Sequence, residues 1–210
     1  MMKYSELDNK LKRRSHSIFS EILQKNSKSK SPKILDVGCA SGIIGKIRKS
    51  PKNIIGIESD LGLLKLAEKN CEKVYNLDLN DFTSSKIKEN NFDFVFLGDI
   101  LEHLLKPELA LKEVLKLMSR DGYIIISLPN IAQIQFRLKL LSGKFNYTET
   151  GVLDKTHLHL YTYKTARDFI LENNLKIVDF YPSGTIVSFF NVFPRLLSSQ
   201  LIFLCRKESK

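Results

Sequence analysis

Residues Ile34 to Gly42 read Ile-Leu-Asp-Val-Gly-Cys-Ala-Ser-Gly, an apolar run that passes through a carboxylate into a D-x-G-x-x-x-G turn. Gly38 and Gly42 let the backbone turn tightly and let a ligand approach it, with Cys39 and Ala40 between them. Asp36 sets a negative charge where it can hold an ammonium group, directly or through water. A pyrophosphate-binding turn would read G-x-G-x-x-G; Ala40 stands at its middle glycine, which argues against a nicotinamide dinucleotide. Sixteen residues beyond Gly42, Glu58 closes the apolar run Ile54 to Ile57. A carboxylate at the end of a second strand can accept from both hydroxyls of a ribose. Asp78 lies between Leu77 and Leu79, where it can accept from an adenine amino group while one of the leucines covers the ring; Asp81 is a rival for that place. After the run Phe92 to Leu97 come Gly98, Asp99, Ile100, Leu101, Glu102 and His103. Gly98 and Asp99 belong to the same ligand wall, Ile100 offers apolar contact, and His103 fits either a structural hydrogen bond or a place in the site.

A second group of candidates lies in Gly151 to Thr162, Gly-Val-Leu-Asp-Lys-Thr-His-Leu-His-Leu-Tyr-Thr. His157 and His159 share one side of the chain only if the backbone is extended. An unperturbed imidazole titrates near neutral pH, so His157 is the first choice for a base and His159 the second. Asp154 or Thr156 can orient one of them. Each histidine also fits a structural role, bonded to backbone or carboxylate. No dense histidine and carboxylate set at ligand spacing is visible along the chain, so no metal is expected.

The elements that must position these residues follow from the pattern of apolar runs. Lys33 to Val37, Asn53 to Glu58, Lys73 to Asn76, Phe92 to Leu97 and Gly122 to Leu128 read as strands. Helical spacing falls at Ile43 to Lys49, Leu61 to Asn70, Glu108 to Met118, Ala132 to Leu141 and Tyr163 to Asn173. This alternation indicates βαβ units, a doubly wound parallel sheet with helices on both faces. Lys176 to Tyr181 and Gln200 to Arg206 close the chain as two strands with no clear helix between them, which predicts an antiparallel hairpin at the sheet edge. Ahead of the first strand, Leu7, Leu11, Ile18, Ile22 and Leu23 give an amphipathic helix over Ser5 to Lys25, then a Ser- and Lys-containing linker. In a sheet of this kind ligands bind beyond the carboxyl ends of the strands where strand order reverses. That rule gathers Asp36 to Gly42, Glu58, Asp78 and Gly98 to His103 into one place.

A chain of 210 residues suits a single domain, with 1–30 a basic helix and linker, 33–129 the cofactor half and 130–210 the acceptor side and closing strands. The net charge of +10 is uneven, since Met1 to Lys30 carries eight bases against three acids. The remaining lysines are scattered singly rather than clustered with arginine and aromatics, which argues against a nucleic-acid partner. Three distant cysteines, Cys39, Cys71 and Cys205, form no C-x-x-C pair and suit a reduced, cytoplasmic protein. No uncharged run reaches the ~18–20 residues of a membrane span. The Phe189, Phe190 and Phe193 cluster fits core packing or an apolar wall, and it allows peripheral membrane contact. The abundance of Leu, Ile, Lys and Asn is what an AT-rich bacterial genome produces, so the charge is given little functional weight.

Taken together, ILDVGCASG, Glu58, Asp78 and FVFLGDILEHL resemble the class I S-adenosylmethionine-dependent methyltransferases over roughly Lys33 to Pro129. The strand GYIIISLPN looks like that family's fifth strand. The resemblance implies a Rossmann-like fold of seven strands with the last antiparallel, S-adenosyl-L-methionine as methyl donor and S-adenosyl-L-homocysteine as product. It implies that Asp36, Gly38, Cys39, Ala40, Gly42, Glu58, Asp78, Leu79, Gly98, Asp99, Ile100 and His103 surround the cofactor, with Gly98 and Asp99 along its methionine part. The sulfonium methyl is already electrophilic, so transfer needs in-line alignment and, for a hydroxyl acceptor, a base. The run DKTHLHLYT resembles bacterial ubiquinone-type and polysaccharide-associated O-methyltransferases, which implies oxygen on a small molecule as the acceptor. Two other readings stay open: methylation of RNA or protein, supported by the basic start of the chain, and a non-catalytic module that binds the cofactor without turnover. An Asn/Asp-Pro-Pro-aromatic motif would favour amino nitrogen, but Gly98-Asp99-Ile100-Leu101 stands in its place.

Overall fold

The computed structural model describes residues 17–184 and 193–208. Its strands are β1 (Ile34–Val37), β2 (Ile54–Glu58), β3 (Lys73–Asn76), β4 (Phe92–Gly98), β5 (Met118–Pro129), β6 (Leu175–Ser183) and β7 (Gln200–Lys207). They form one seven-stranded sheet in the order β3-β2-β1-β4-β5-β7-β6. Neighbours are parallel from β3 through β5, and β7 runs antiparallel to both β5 and β6. The helices are α1 (described over 17–26), α2 (Ile43–Arg48), α3 (Leu61–Ala67), α4 (Pro107–Leu117), α5 (Ile134–Leu141), α6 (Tyr163–Glu172) and α7 (Pro194–Leu197). This is the doubly wound, mostly parallel architecture expected from the alternation of apolar runs. Leu7 and Leu11 of the amphipathic N-terminal helix, and Phe189 and Phe190, lie outside the described residues.

Strand period two feeds two cores, one on each face of the sheet. Leu35, Val37, Ile55, Ile57, Val95, Leu97, Ile124 and Ile126 face α4 and α6, which contribute Leu111, Val114, Ala166 and Ile170. The residues between them, Ile34, Ile54, Phe94, Phe96 and Ile125, face α1 and α2 through Phe19, Ile22 and Ile44. Helix α4 buries Pro107, Ala110, Leu111, Val114 and Leu117, one stripe at helical spacing, and starts on a proline whose missing N–H costs nothing in the first turn. Helix α6 starts on a capping box between Thr162 and Thr165, each side chain accepting from the other's backbone N–H.

The departures from the sequence reading are local. Strand β5 begins at Met118 rather than Gly122, because the residues after Met118 join the edge as a bulge: Phe92 pairs with Met118 but Phe94 pairs with Tyr123. Ser119, Arg120 and Asp121 carry no apolar alternation that would reveal this. Helix α5 starts at Ile134 instead of Ala132, since the Ala132 N–H is held by the Asn130 side chain in a turn. Between β6 and β7 the four-residue α7 appears, too short for periodicity to disclose. The closing pair of strands is antiparallel as expected, and β7 is inserted between β5 and β6 so that Leu201 to Cys205 are all buried. Among the described residues, no helix is long and apolar enough to cross a membrane.

Candidate active site

Strand order reverses between β1 and β4, and the carboxyl ends of those two strands open onto a cleft. Asp36, Gly38, Cys39, Ala40, Glu58, Gly98, Asp99 and Ile100 all line a cavity of about 150 Å³ there. A second cavity of about 260 Å³ adjoins it, sharing Gly38, Glu58 and Ile100 and reaching Asp78, Leu79 and His103. The four sequence segments therefore meet around one elongated, two-part cleft.

The turn after β1 owes its shape to backbone conformation. Gly38, Ala40 and Gly42 have φ of 70, 48 and 71°. A Cβ on Gly38 would stand 2.5 Å from Cδ1 of Ile100, and one on Gly42 would stand 2.7 Å from Cβ of Asn70. Gly42 turns the chain into α2 and lines neither cavity. Cys39 is buried behind the turn against Cys71, and both thiols are free.

Glu58 ties this turn to β2. Its Oε2 accepts from the N–H of Ala40 and its Oε1 from that of Asp60, both at 2.9 Å. Each oxygen retains a further lone-pair direction for a ligand hydroxyl. Asp60 in turn caps α3 by accepting from Leu63 N–H at 2.8 Å. Asp36 is 3% exposed, and burial, with Glu58 beside it second, pushes its carboxyl up to about 8. Such a group takes its charged form most readily when a cation arrives to share the site.

Across the cleft, Asp99 sits at φ 54°, an uncommon conformation for a residue with a side chain, and is held there from two strands. Its Oδ1 accepts from Ser127 Oγ at 2.8 Å and its Oδ2 from Gln200 Nε2 at 2.7 Å. Ser127 and Gln200 are functional-site neighbours that sequence spacing does not disclose, because they come from β5 and β7. Asp78 is exposed at the far end, its Oδ1 accepting from Asn80 N–H at 2.9 Å, while Leu79 is mostly core and Leu77 is half-buried at the rim.

The histidine segment folds back over the loop after β4. The N–H groups of Leu158 and His159 both donate to the carbonyl of Glu102, at 2.8 and 3.1 Å. This docking separates the two histidines proposed from sequence. His159 directs Nε2 at the Leu104 carbonyl, 3.0 Å away, whereas His157 joins Glu102 and His103. Nδ1 of His157 lies 3.1 Å from the Val152 carbonyl, which can only accept, so that nitrogen carries a proton and Nε2 is the one that can present a lone pair. That Nε2 is 3.9 Å from Oε1 of Glu102. Of the two residues expected to orient a histidine, Thr156 contacts the His103 ring and links it to Asp154. Thr156 Oγ1 donates to Asp154 Oδ1 at 2.7 Å and lies 3.1 Å from Nδ1 of His103, whose proton it therefore accepts. Burial and the neighbouring His157 ring lower the His103 pKa, which keeps it neutral at pH 7. Glu102 is fully buried; no histidine and carboxylate set is dense along the chain, yet one ligand atom each from Glu102, His103 and His157 lies within 4.8 Å of the others.

The chain is similar to known proteins. Residues 35–126 match the family model of a methyltransferase domain. An uncharacterised protein of Methanocaldococcus jannaschii is 28% identical over 80% of this chain and 70% of its own length. The ubiquinone biosynthesis O-methyltransferase of Actinobacillus pleuropneumoniae is 26% identical over 59% of this chain, and the match spans only 57% of that protein. Among solved structures, magnesium protoporphyrin IX methyltransferase from Synechocystis, with bound S-adenosylhomocysteine, superimposes with a TM-score of 0.67 at 14% identity, over 98% of this chain and 88% of that one.

Proposed function

The chain is a class I S-adenosylmethionine-dependent methyltransferase, and on that premise we propose that it transfers the methyl group to a hydroxyl oxygen of a small-molecule acceptor. The observation that carries this reading is the convergence of Glu102, His103 and His157 beside the loop that bears Asp99. A sulfonium methyl needs no activation, so residues are required chiefly to align the acceptor and to relieve it of a proton. An amine acceptor, once neutral, has its lone pair ready; a hydroxyl needs the proton acceptor that this cluster supplies. His157 Nε2, with Glu102 beside it to stabilise an imidazolium, is the base, and His159 is less suited because its Nε2 is engaged by Leu104. The name of the quinone-pathway relative supports oxygen as the acceptor atom.

In this reading Asp36 holds the ammonium of S-adenosylmethionine, and Gly38, Cys39, Ala40 and Gly42 form the turn against which its methionine part lies. Glu58 accepts from the ribose hydroxyls, while Asp78 and Leu79 border the adenine. Gly98, Asp99 and Ile100 face the methionine and methyl end, and His103 closes the wall. The three buried free thiols suit a reducing cytoplasm. Helix α5 buries no residue, and Leu138, Leu140 and Leu141 stand exposed beside Arg137, Lys139 and Lys144. That combination suits peripheral contact with an anionic membrane surface, where a lipid-like acceptor would be met. The test is methyl transfer from isotopically labelled S-adenosylmethionine to a panel of hydroxylated aromatics and sugars, with bulk RNA and a peptide mixture alongside. Label in a small-molecule ether supports the proposal, and label confined to RNA or protein overturns it.

A further inference from the structure

The geometry points to a divalent metal site made by Glu102, His103 and His157, which binds the acceptor hydroxyl and makes it acidic. The inference rests on the small-molecule O-methylation reading and refines it: with the ion bound, His157 is a ligand, and coordination rather than proton transfer to imidazole activates the hydroxyl.

Three observations support it. First, the three residues each offer one ligand atom, all within 4.8 Å of one another. Ligand atoms around a tetrahedral ion of zinc type stand about 3.3 Å apart, so the set must close by up to about 1.5 Å on binding. Second, both imidazoles are fixed in the state that metal ligation needs. Nδ1 of His157 donates to the Val152 carbonyl, and Nδ1 of His103 donates to Thr156, itself bonded to Asp154. Ring orientation by a carbonyl or a carboxylate-linked partner on the far nitrogen is the usual support of a ligating histidine, and it leaves Nε2 free to coordinate. Third, the side chains of Glu102 and His157 are buried, 1% and 6% exposed, while His103 is partly open. Two imidazole nitrogens and a carboxyl group converging at a buried edge offer a cation a ready set of ligands.

Two nitrogens and one carboxylate suit a borderline ion such as Zn²⁺ over Mg²⁺, and three protein ligands leave a position for the substrate oxygen. Bound there, the acceptor O–H releases its proton to water and the oxygen keeps the electron pair. That pair forms the new O–C bond as the methyl carbon's bond to sulfur breaks, and the sulfur of S-adenosylhomocysteine takes the bonding electrons. An acceptor with a second oxygen adjacent to the first, as in a catechol or vicinal diol, would chelate the ion and gain orientation as well.

The test is calorimetric titration of metal-stripped full-length protein with Zn²⁺, together with S-adenosylhomocysteine binding on the same samples. Co²⁺ serves as a second probe through its visible absorption. Wild type is expected to take up about one ion per chain. His157→Asn, whose amide can still donate to Val152, is expected to weaken zinc binding by at least about tenfold and leave S-adenosylhomocysteine affinity unchanged. Should that variant not fold, the near-isosteric Glu102→Gln gives the same readout. Wild type that binds S-adenosylhomocysteine but no zinc, or zinc binding untouched by the substitutions, overturns the metal site and leaves the methyltransferase reading standing. Zinc uptake without S-adenosylhomocysteine binding would do the reverse.

Discussion

Glu58 Oε2 accepts the backbone N–H of Ala40 at 2.9 Å, so the carboxylate that ends β2 also braces the turn that ends β1. In the proposed reading one residue thus does two things, fixing the loop and meeting a ribose. Glu58→Gln keeps the size but loses the charge that strengthens both roles. Affinity for S-adenosylhomocysteine is expected to fall about ten- to hundredfold, the value of a charge-assisted hydrogen bond. Calorimetry on the folded variant checks this, and unchanged affinity would remove Glu58 from the site.

With Asp36 as the proposed partner of the ligand ammonium, cofactor binding is expected to depend on pH. Its carboxyl is pushed up to about 8, first by burial and then by Glu58, so over much of the working range it holds a proton that the ligand ammonium must displace. Affinity should therefore rise with pH and level off above about 8, by up to about tenfold per unit below it. The sign for stability is opposite. The unfolded chain loses this proton near its ordinary value of 3.8 while the folded one keeps it, so the unliganded protein loses stability as pH climbs from there toward about 8. Thermal melting with and without S-adenosylhomocysteine across that range tests both trends. Identical slopes in Asp36→Asn and wild type would assign them elsewhere.

Gly38→Ala should abolish measurable cofactor binding more than it unfolds the protein. The residue has φ 70°, which costs a side chain about 1–2 kcal/mol, and the new methyl would meet Ile100 at 2.5 Å. Ile100 is a flexible side chain that lines both parts of the cleft, so a movement that makes room for the methyl reshapes the cleft wall. The expected result is a modest fall in melting temperature with at least about a hundredfold loss of affinity. Retained affinity would show that the cleft lies elsewhere.

Asn130 is fully buried, and its Nδ2 donates to the carbonyls of Arg195 and Ser198 at 3.0 and 2.9 Å. Through these bonds it fastens the end of β5 to α7 and to the start of β7, where Gln200 reaches Asp99. Asn130→Ala strands two acceptors and is expected to cost about 2–4 kcal/mol in denaturant unfolding. A loss well under 1 kcal/mol would mean water satisfies both carbonyls.

Exposed Leu138, Leu140 and Leu141 should bring the protein to vesicles that contain phosphatidylglycerol, and Leu141→Glu should reduce the bound fraction several-fold. Equal sedimentation with neutral and anionic vesicles would contradict the preference for an anionic surface, and none with either would contradict the membrane contact.

Much of this architecture is written locally in the chain. Strands such as Ile34–Val37 and Phe92–Gly98 are short apolar runs that need no distant partner to be read, and the Gly38 to Gly42 turn carries its conformation in its residue types. The cleft followed because doubly wound sheets bind ligands where strand order reverses. What the sequence concealed depends on distance along the chain. Glu102 lies in a three-residue turn, Leu101–His103, that has no period, and Thr156 is fifty-three residues beyond the His103 it orients. Likewise Gln200 reaches Asp99 across 101 residues because β7 inserts beside β5, a topological fact with no local signature.

The most direct test of the account is calorimetric titration of the purified protein with S-adenosylhomocysteine, alongside Asp36→Ala and Glu58→Ala. Saturable binding near one ligand per chain, lost in both variants while each stays folded, is the predicted result. A folded wild type that binds no S-adenosylhomocysteine would contradict it and detach this cleft from methyl transfer.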